Sequence, residues 1–305
     1  MKVLVTGGSG YIGAITGKAL AAAGFTPINF DLKQGSDIRD KQQVLAALKD
    51  NQIEAVMHFA AFISMGESMA NPYKYFDNNV NGSLNLIETM VQAGVKKLIF
   101  SSSAGVYGNP TQVPIKEDDP KNPTNPYGLS KLMVEEMLTW YDQLHGLKSI
   151  SLRYFNAAGA VNGLGETHDP ESHLIPNLIA AVMSGSEFKL FGSDYSTPDG
   201  TCVRDYIHVS DLADAHVLTL KALISGHQSG IYNAGTGKGY SNKEVIDMVE
   251  KVSGKKINVK IESRRPGDAD ELVADSSKLQ QEFSWKPQHS ELENIIKSAW
   301  NYSQH

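Results

Sequence analysis

Short β-branched runs alternate with helical periods through the first half of the chain. Val3-Leu4-Val5 precedes an apolar helical period from Tyr11 to Ala23, and Ile28-Asn29-Phe30 forms the next extended run. Ile53 to Phe59 then leads into Pro72 to Ala93, Leu98-Ile99-Phe100 into Pro126 to His145, and Ser149 to Leu152 follows. Repeated strand–helix units of this kind predict a doubly wound α/β fold, a parallel sheet covered by helices on both faces. Two helix starts are well marked, because Asn71-Pro72 and Asn125-Pro126 each place a capping amide before a proline at the first helical position. Tyr75, Val80, Leu84 and Ile87 make one apolar stripe and Met133, Met137, Trp140 and Leu144 another, so one side of each helix is predicted to face a core or a partner.

After Arg153 the alternation loosens. Asn156 to Pro170 is rich in Gly, Asn and Asp, and Gly192 to Thr201 is a second loop-rich stretch. The pattern returns as helix (Asp211 to Ile224), strand (Ile231 to Asn233), helix (Asn242 to Val252) and strand (Ile257 to Ile261), with a closing helix near Leu292 to Trp300. This divides the chain into a first domain over residues 1–155, with strand and helix returns near 203–235, and a smaller α/β lobe made mainly from 156–305.

Composition narrows the class. The 305 residues are 41% hydrophobic and 20% charged, as expected of a globular chain. A net charge of −6 argues against a nucleic acid as the main partner. The single cysteine, Cys202, cannot close an internal disulfide, and Met1 to Val5 runs into Gly7 and Gly8 without the apolar core of a signal peptide, so a cytoplasmic protein without a membrane partner is expected. His58, His208 and His216 lie in strand or helix contexts without clustered ligand spacing, where ordinary packing is the plainer use of a histidine, and no metal is expected in this protein.

Chemistry enters with Thr6-Gly7-Gly8-Ser9-Gly10-Tyr11-Ile12-Gly13, which follows the first strand and opens the first helix. Glycines spaced three apart suit a tight turn that brings backbone close to a pyrophosphate at a helix N-terminus. A merely flexible turn would use the same residue, but Asp31 ends the second strand near the ~20-residue spacing expected of the acid that holds an adenosine ribose. A carboxylate there would repel a 2′-phosphate, which favours NAD over NADP. Tyr127 and Lys131 are spaced i, i+4, so both project from one helix face. An ammonium near a phenol is expected to lower its pKa from ~10 and make a usable general base. The run Ser101-Ser102-Ser103 ends a strand where doubly wound sheets place their ligands, so one hydroxyl is positioned to hold a substrate oxygen.

These residues resemble the extended short-chain dehydrogenase/reductases, Rossmann-fold enzymes, and within them the UDP-glucose 4-epimerases. The likeness runs nearly the whole length, through TGGSGYIG (6–13), HFAA (58–61), YFDNNVNG (75–82), FSSSAGVYG (100–108), NPYGLSK (125–131), LRYFNAAGA (152–160), DPESHLIP (169–176), DGTCVRDYIHVSDLADAH (199–216) and RRPGD (264–268). The resemblance implies NAD-dependent interconversion of UDP-glucose and UDP-galactose through transient oxidation at C4, with Tyr127 as base, Ser103 as hydroxyl partner and Lys131 tuning the tyrosine. It implies NAD contacts at Gly7, Gly10, Tyr11, Ile12, Gly13, Asp31, Asp37, Ile38, Phe59, Ala60, Ala61, Ile63, Asn78, Ser103, Tyr127, Lys131 and Phe155. For the UDP-sugar it implies Ser103, Tyr127, Asn156, His173, Leu174, Phe191, Arg204, Arg265 and Asp268. Two arginines suit a diphosphate through charge-assisted hydrogen bonds, although surface ion pairing is the plainer use of an arginine.

Related dehydratases carry acidic residues just after the catalytic hydroxyl, where this chain has Ala104 and Gly105, so elimination chemistry is disfavoured. A nucleotide-sensing protein that has lost its catalytic pair is the other alternative, and intact Tyr127 and Lys131 count against it. Two positions depart from the family pattern. Ile63 stands where some epimerases have a lysine near the cofactor, and Leu272 stands where the family gates access for N-acetylated sugars. The resemblance also implies a homodimer, formed by the helices Pro72–Ala93 and Pro126–His145.

Overall fold

The chain begins with β1 (Lys2–Thr6), α1 (Tyr11–Ala22), β2 (Thr26–Phe30), α2 (Lys41–Asp50) and β3 (Ala55–His58). Next come α3 (Met65–Ala70), α4 (Pro72–Tyr75), a π turn (Phe76–Asn81) and α5 (Gly82–Ala93), then β4 (Lys97–Ser103), α6 (Pro126–His145) and β5 (Lys148–Tyr154). This computed structural model describes residues 1–265 and 268–304, so Pro266 and Gly267 of the RRPGD motif lie outside the described residues. A later strand, Gly230–Ala234, pairs with β5 and completes a six-stranded sheet in the order β2-β1-β3-β4-β5-(230–234), parallel throughout.

Alternation along each strand feeds both faces. Val3, Val5, Met57 and Ile99 pack on α1 and Val209–Ile224, while Leu4, Val56, Leu98 and Phe100 pack on α2, α5 and α6. Apolar side chains cover both faces of the sheet, and the carboxyl ends of its strands are left free of that packing. The order reverses at β1/β3, where open α/β sheets bind ligands beyond the carboxyl ends of their strands.

The remaining chain builds the second layer: β6 (Asn156–Ala158), α7 (Leu174–Ser184), β7 (Phe188–Phe191), β8 (Val203–His208), α8 (Val209–Ile224), β9 (Gly230–Ala234), β10 (Gly239–Ser241), α9 (Asn242–Ser253), β11 (Val259–Glu262) and β12 (Glu271–Leu272). It closes with α10 (Ser277–Phe283) and α11 (Leu292–Ser303). Strand β8 pairs with β6, β10 and β12, and β7 pairs with β11. A separate apolar core, including Leu178, Tyr206, Val245 and Ile295, holds α7, α9 and α11 against these strands. No helix among the described residues is long and apolar enough to cross a membrane.

The π turn alters the expected stripe on the 72–93 helix. The extra residue of an i→i+5 turn shifts the register, so the buried face reads Tyr75, Asn78, Asn79, Gly82, Ser83, Leu86, Ile87 and Met90, and Val80 and Leu84 are only half-buried. On α6 the buried face is Lys131, Val134, Glu135 and Leu138. The stripe through Met133, Trp140 and Leu144 faces solvent, with Trp140 60% and Leu144 70% exposed.

Candidate active site

A cleft of about 1370 Å³ opens at the carboxyl ends of the sheet and runs into the second layer. Its floor begins at the glycine turn. Gly7 has φ +71°, and a Cβ there would lie 2.7 Å from the Ala60 nitrogen, so only glycine brings this turn against the end of β3. Helix α1 starts behind Gly10 with no side-chain cap, which leaves its first N–H groups open to an anion. At the end of β2, Asp31 is fixed by the backbone N–H of Ser9 (2.9 Å) and of Lys33 (2.8 Å). An uncapped helix terminus beside an anchored carboxylate fits the pyrophosphate and ribose of a dinucleotide. Gly7, Gly10, Tyr11, Ile12, Gly13, Asp31, Ile38, Phe59, Ala60, Ala61, Ile63 and Asn78 all line this part of the cleft. Asp37 does not line it; its carboxylate accepts from the Arg39 guanidinium at 2.7 Å.

The middle of the cleft holds Ser103, Tyr127, Lys131 and Phe155. Asn125 caps α6 by accepting from the Gly128 N–H at 2.8 Å, and Pro126 opens the helix. A Cβ on Gly128 would meet the Gly105 carbonyl oxygen at 2.4 Å, so this glycine lets α6 lie against the turn that follows β4. That contact is what brings Tyr127 to Ser103. Lys131 is buried, donates to the Ser101 carbonyl at 2.7 Å, and has its ammonium 5.9 Å from the centre of the Tyr127 ring.

The expected lowering of the phenol pKa is not what this arrangement produces in the protein alone. Burial pushes the Tyr127 phenol up, and the neighbouring Ser103 hydroxyl offsets this only in part. Burial also lowers the Lys131 ammonium to about 7 against the attraction of Glu135 one turn on. For both groups burial outweighs the polar neighbour that opposes it, Ser103 for the phenol and Glu135 for the ammonium. Glu135 is held in place by a buried pair with Arg153 (2.7 Å) and by the Ser102 hydroxyl, which donates at 2.5 Å.

Toward the second layer the walls are Asn156, His173, Leu174, Phe191, Arg204, Arg265, Asp268 and Leu272. Arg265 stacks on Phe191 at 4.0 Å, and Arg204 donates to the carbonyls of Val203 (2.8 Å) and Ala269 (2.9 Å). Neither forms an ion pair with a carboxylate among the described residues, whereas Arg264 pairs with Asp194. Two unpaired guanidinium groups on a cleft wall suit a polyanion better than a surface pairing role.

Sequence reasoning missed one group on this wall. Glu166, His168, Glu171 and His173 bring one ligand-type atom each to within 4.8 Å of one another. The spacing Glu-x-His-x-x-Glu-x-His was legible, but only His173 had been singled out. Burial disfavours its imidazolium, yet hydrogen bonds to Glu166 and Glu171 raise His173 to about 10 in the metal-free cluster.

Fold and site together define a dinucleotide-binding α/β protein with a half-buried Tyr/Ser pair beside a buried lysine. Residues 3–235 match the NAD dependent epimerase/dehydratase family. The chain belongs to that family. A protein named UDP-glucose 4-epimerase from Lactobacillus helveticus is 45% identical over 99% of this chain and 97% of its own length. The crystal structure of UDP-glucose 4-epimerase from Brucella ovis in complex with NAD superimposes with a TM-score of 0.95 at 40% identity, covering 99% of this chain and 98% of that one. The Bifidobacterium longum enzyme in complex with NAD+ and UDP gives a TM-score of 0.92 at 38% identity, covering 100% and 98%.

Proposed function

We propose that this protein is an NAD-dependent enzyme that interconverts UDP-glucose and UDP-galactose by transient oxidation at C4 and return of hydride to the opposite face. The observation that carries the reading is one continuous cleft wall joining the glycine turn, Tyr127 with Ser103 and Lys131, and the unpaired Arg204 and Arg265. The relatives named for this activity, and the solved ones holding NAD or UDP, support it.

In this reading residues 1–155, with the returning strands near 203–235, hold the dinucleotide, and 156–305 mainly hold the UDP-sugar. Gly7 to Gly13 and the α1 terminus receive the pyrophosphate, Asp31 a ribose, and Lys131 the nicotinamide ribose. NAD supplies the hydride acceptor and donor when bound. Tyr127 accepts the 4-hydroxyl proton as its phenolate, a form that the positive charges of NAD+ and the Lys131 ammonium would favour against burial, and later returns it, while Ser103 hydrogen-bonds the same oxygen. Arg204, Arg265 and Asp268 grip the nucleotide end, which leaves the hexose free to turn. Ala104 and Gly105 offer no further acid or base, in keeping with epimerisation rather than elimination.

A coupled assay tests this: purified protein is given UDP-galactose without added NAD and UDP-glucose is followed. Product is expected, from NAD retained through purification. No product from protein shown to bind NAD would overturn the reading. A cytoplasmic homodimer belongs to the same proposal, its assembly supported by the exposed Met133, Trp140 and Leu144 on α6.

A further inference from the structure

The loop that leads into α7 carries a cluster of which only His173 belongs to the UDP-sugar wall described above; Glu166, His168 and Glu171 have no part in that reading. The Glu166 Oε1 lies 2.9 Å from His168 Nδ1 and 2.8 Å from His173 Nδ1, and His173 Nδ1 is also 2.7 Å from Glu171 Oε1. An imidazole Nδ1 has one proton at most, so His173 cannot donate fully to two carboxylates at once. Glu171 Oε1 is further claimed by the backbone N–H groups of Ser172 (2.7 Å) and His173 (2.8 Å), which fix its position independently of the rings. All four side chains line the cleft, and the Glu166 side chain is only 7% exposed.

We propose that Glu166, His168, Glu171 and His173 form a binding site for one Zn2+ ion. As the ion binds, the His173 ring gives its extra proton to solvent; two neutral imidazoles and two carboxylates then carry a charge of −2, which a divalent cation cancels, and an N2O2 donor set suits borderline Zn2+ in tetrahedral coordination. A cation at the point of convergence takes a lone pair from each Nδ1 and an oxygen from each carboxylate. It thereby removes the conflict of one proton between two acceptors. All four ligands fall within eight residues ending at the N-cap of α7, so the ion would tie the loop down and fix Leu174 and His173 on the cleft wall.

Untagged protein, stripped with EDTA and dialysed against Zn2+, is analysed for metal per chain by mass spectrometry. Calorimetry gives the Zn2+ affinity, and added Co2+ reads the coordination geometry by its visible absorption. About one Zn2+ per chain is expected, with tetrahedral Co2+ absorption, and H168N and E171Q should each weaken Zn2+ binding at least about tenfold. Bound NAD and far-UV circular dichroism verify that each variant is folded, and if one fails that check the other decides. Wild-type protein that takes up no Zn2+, or folded variants that bind it as tightly as wild type, would overturn the proposal and leave a hydrogen-bonded acid–imidazole cluster. These readouts are independent of turnover.

Discussion

Lys131 sits one helical turn beyond Tyr127 on α6, its ammonium 5.9 Å from the phenol ring centre and hydrogen-bonded to the Ser101 carbonyl at 2.7 Å. The lysine is therefore anchored to β4, the strand that ends in Ser103, and the three groups share one rigid corner. Removing only the phenolic oxygen with Y127F keeps the ring and its packing. The variant should lose about 10²–10⁴-fold in kcat while retaining bound NAD, read by the coupled assay and by nucleotide extracted from the protein. Unchanged turnover would mean that another group is the base.

Asp31 supplies two backbone N–H groups with acceptors, from Ser9 and Lys33, and so shapes the pocket edge as well as its charge. D31A should narrow the preference for NAD over NADP, measured as the ratio of their dissociation constants on stripped protein. A ratio equal to that of the wild type would remove the ribose contact from the mechanism.

Three buried histidines set an acid limit on stability. Burial lowers His58 to about 3 and His208 and His216 to about 4. In His216, Nδ1 faces the Leu212 carbonyl at 2.8 Å, so it carries the proton and Nε2 accepts from the Tyr154 hydroxyl. Below the ordinary value of ~6.5 the unfolded chain takes up protons that the folded rings refuse, so stability falls as pH drops from there toward 4. Each ring contributes up to about 1.4 kcal/mol per pH unit. Urea midpoints should hold above about pH 7 and drop steadily between about 6.5 and 5; a flat profile across that window would show that the fold accommodates the charged rings.

Much of the fold and of the cleft is legible in the sequence. Asn125-Pro126 opens α6 as expected, because caps are local chemistry and owe little to the rest of the fold. Helix α2 escaped notice although Asp40 caps it and Val44 and Leu48 form its buried side, since a two-residue apolar face is too faint a period. Strands β6, β10 and β12 are two or three residues long and exist only because β8 offers them an edge. The pKa order of Tyr127 and Lys131 was also beyond the sequence, because burial decides it and spacing does not.

The solvent-facing stripe on α6 gives a direct test of assembly. Trp140 and Leu144 are too exposed to stabilise the chain by itself, so replacing both with Ser should leave circular dichroism and bound NAD unchanged. If the stripe pairs with a second copy, light scattering should read twice the 33.2 kDa chain mass for wild type and a single chain mass for the double variant. A wild type of single mass at micromolar concentration would remove the dimer.

Leu272 is paired in register with Arg204 on β8 and lines the same cleft, half-buried, so its side chain borders the space a sugar would use. An N-acetyl group at C2 needs more room than a hydroxyl, and a wall residue discriminates by the volume it leaves. L272A should raise turnover of UDP-GlcNAc relative to UDP-galactose by about tenfold, and L272Y should lower the ratio by a similar factor, within the 10–200-fold that small steric differences provide. Both variants are uncharged, so a change in the ratio that runs in order of side-chain volume reads size and not charge. A ratio that stays constant across Ala, Leu and Tyr would place the acetyl group elsewhere and shift the search to the residues facing Leu272 across the cleft.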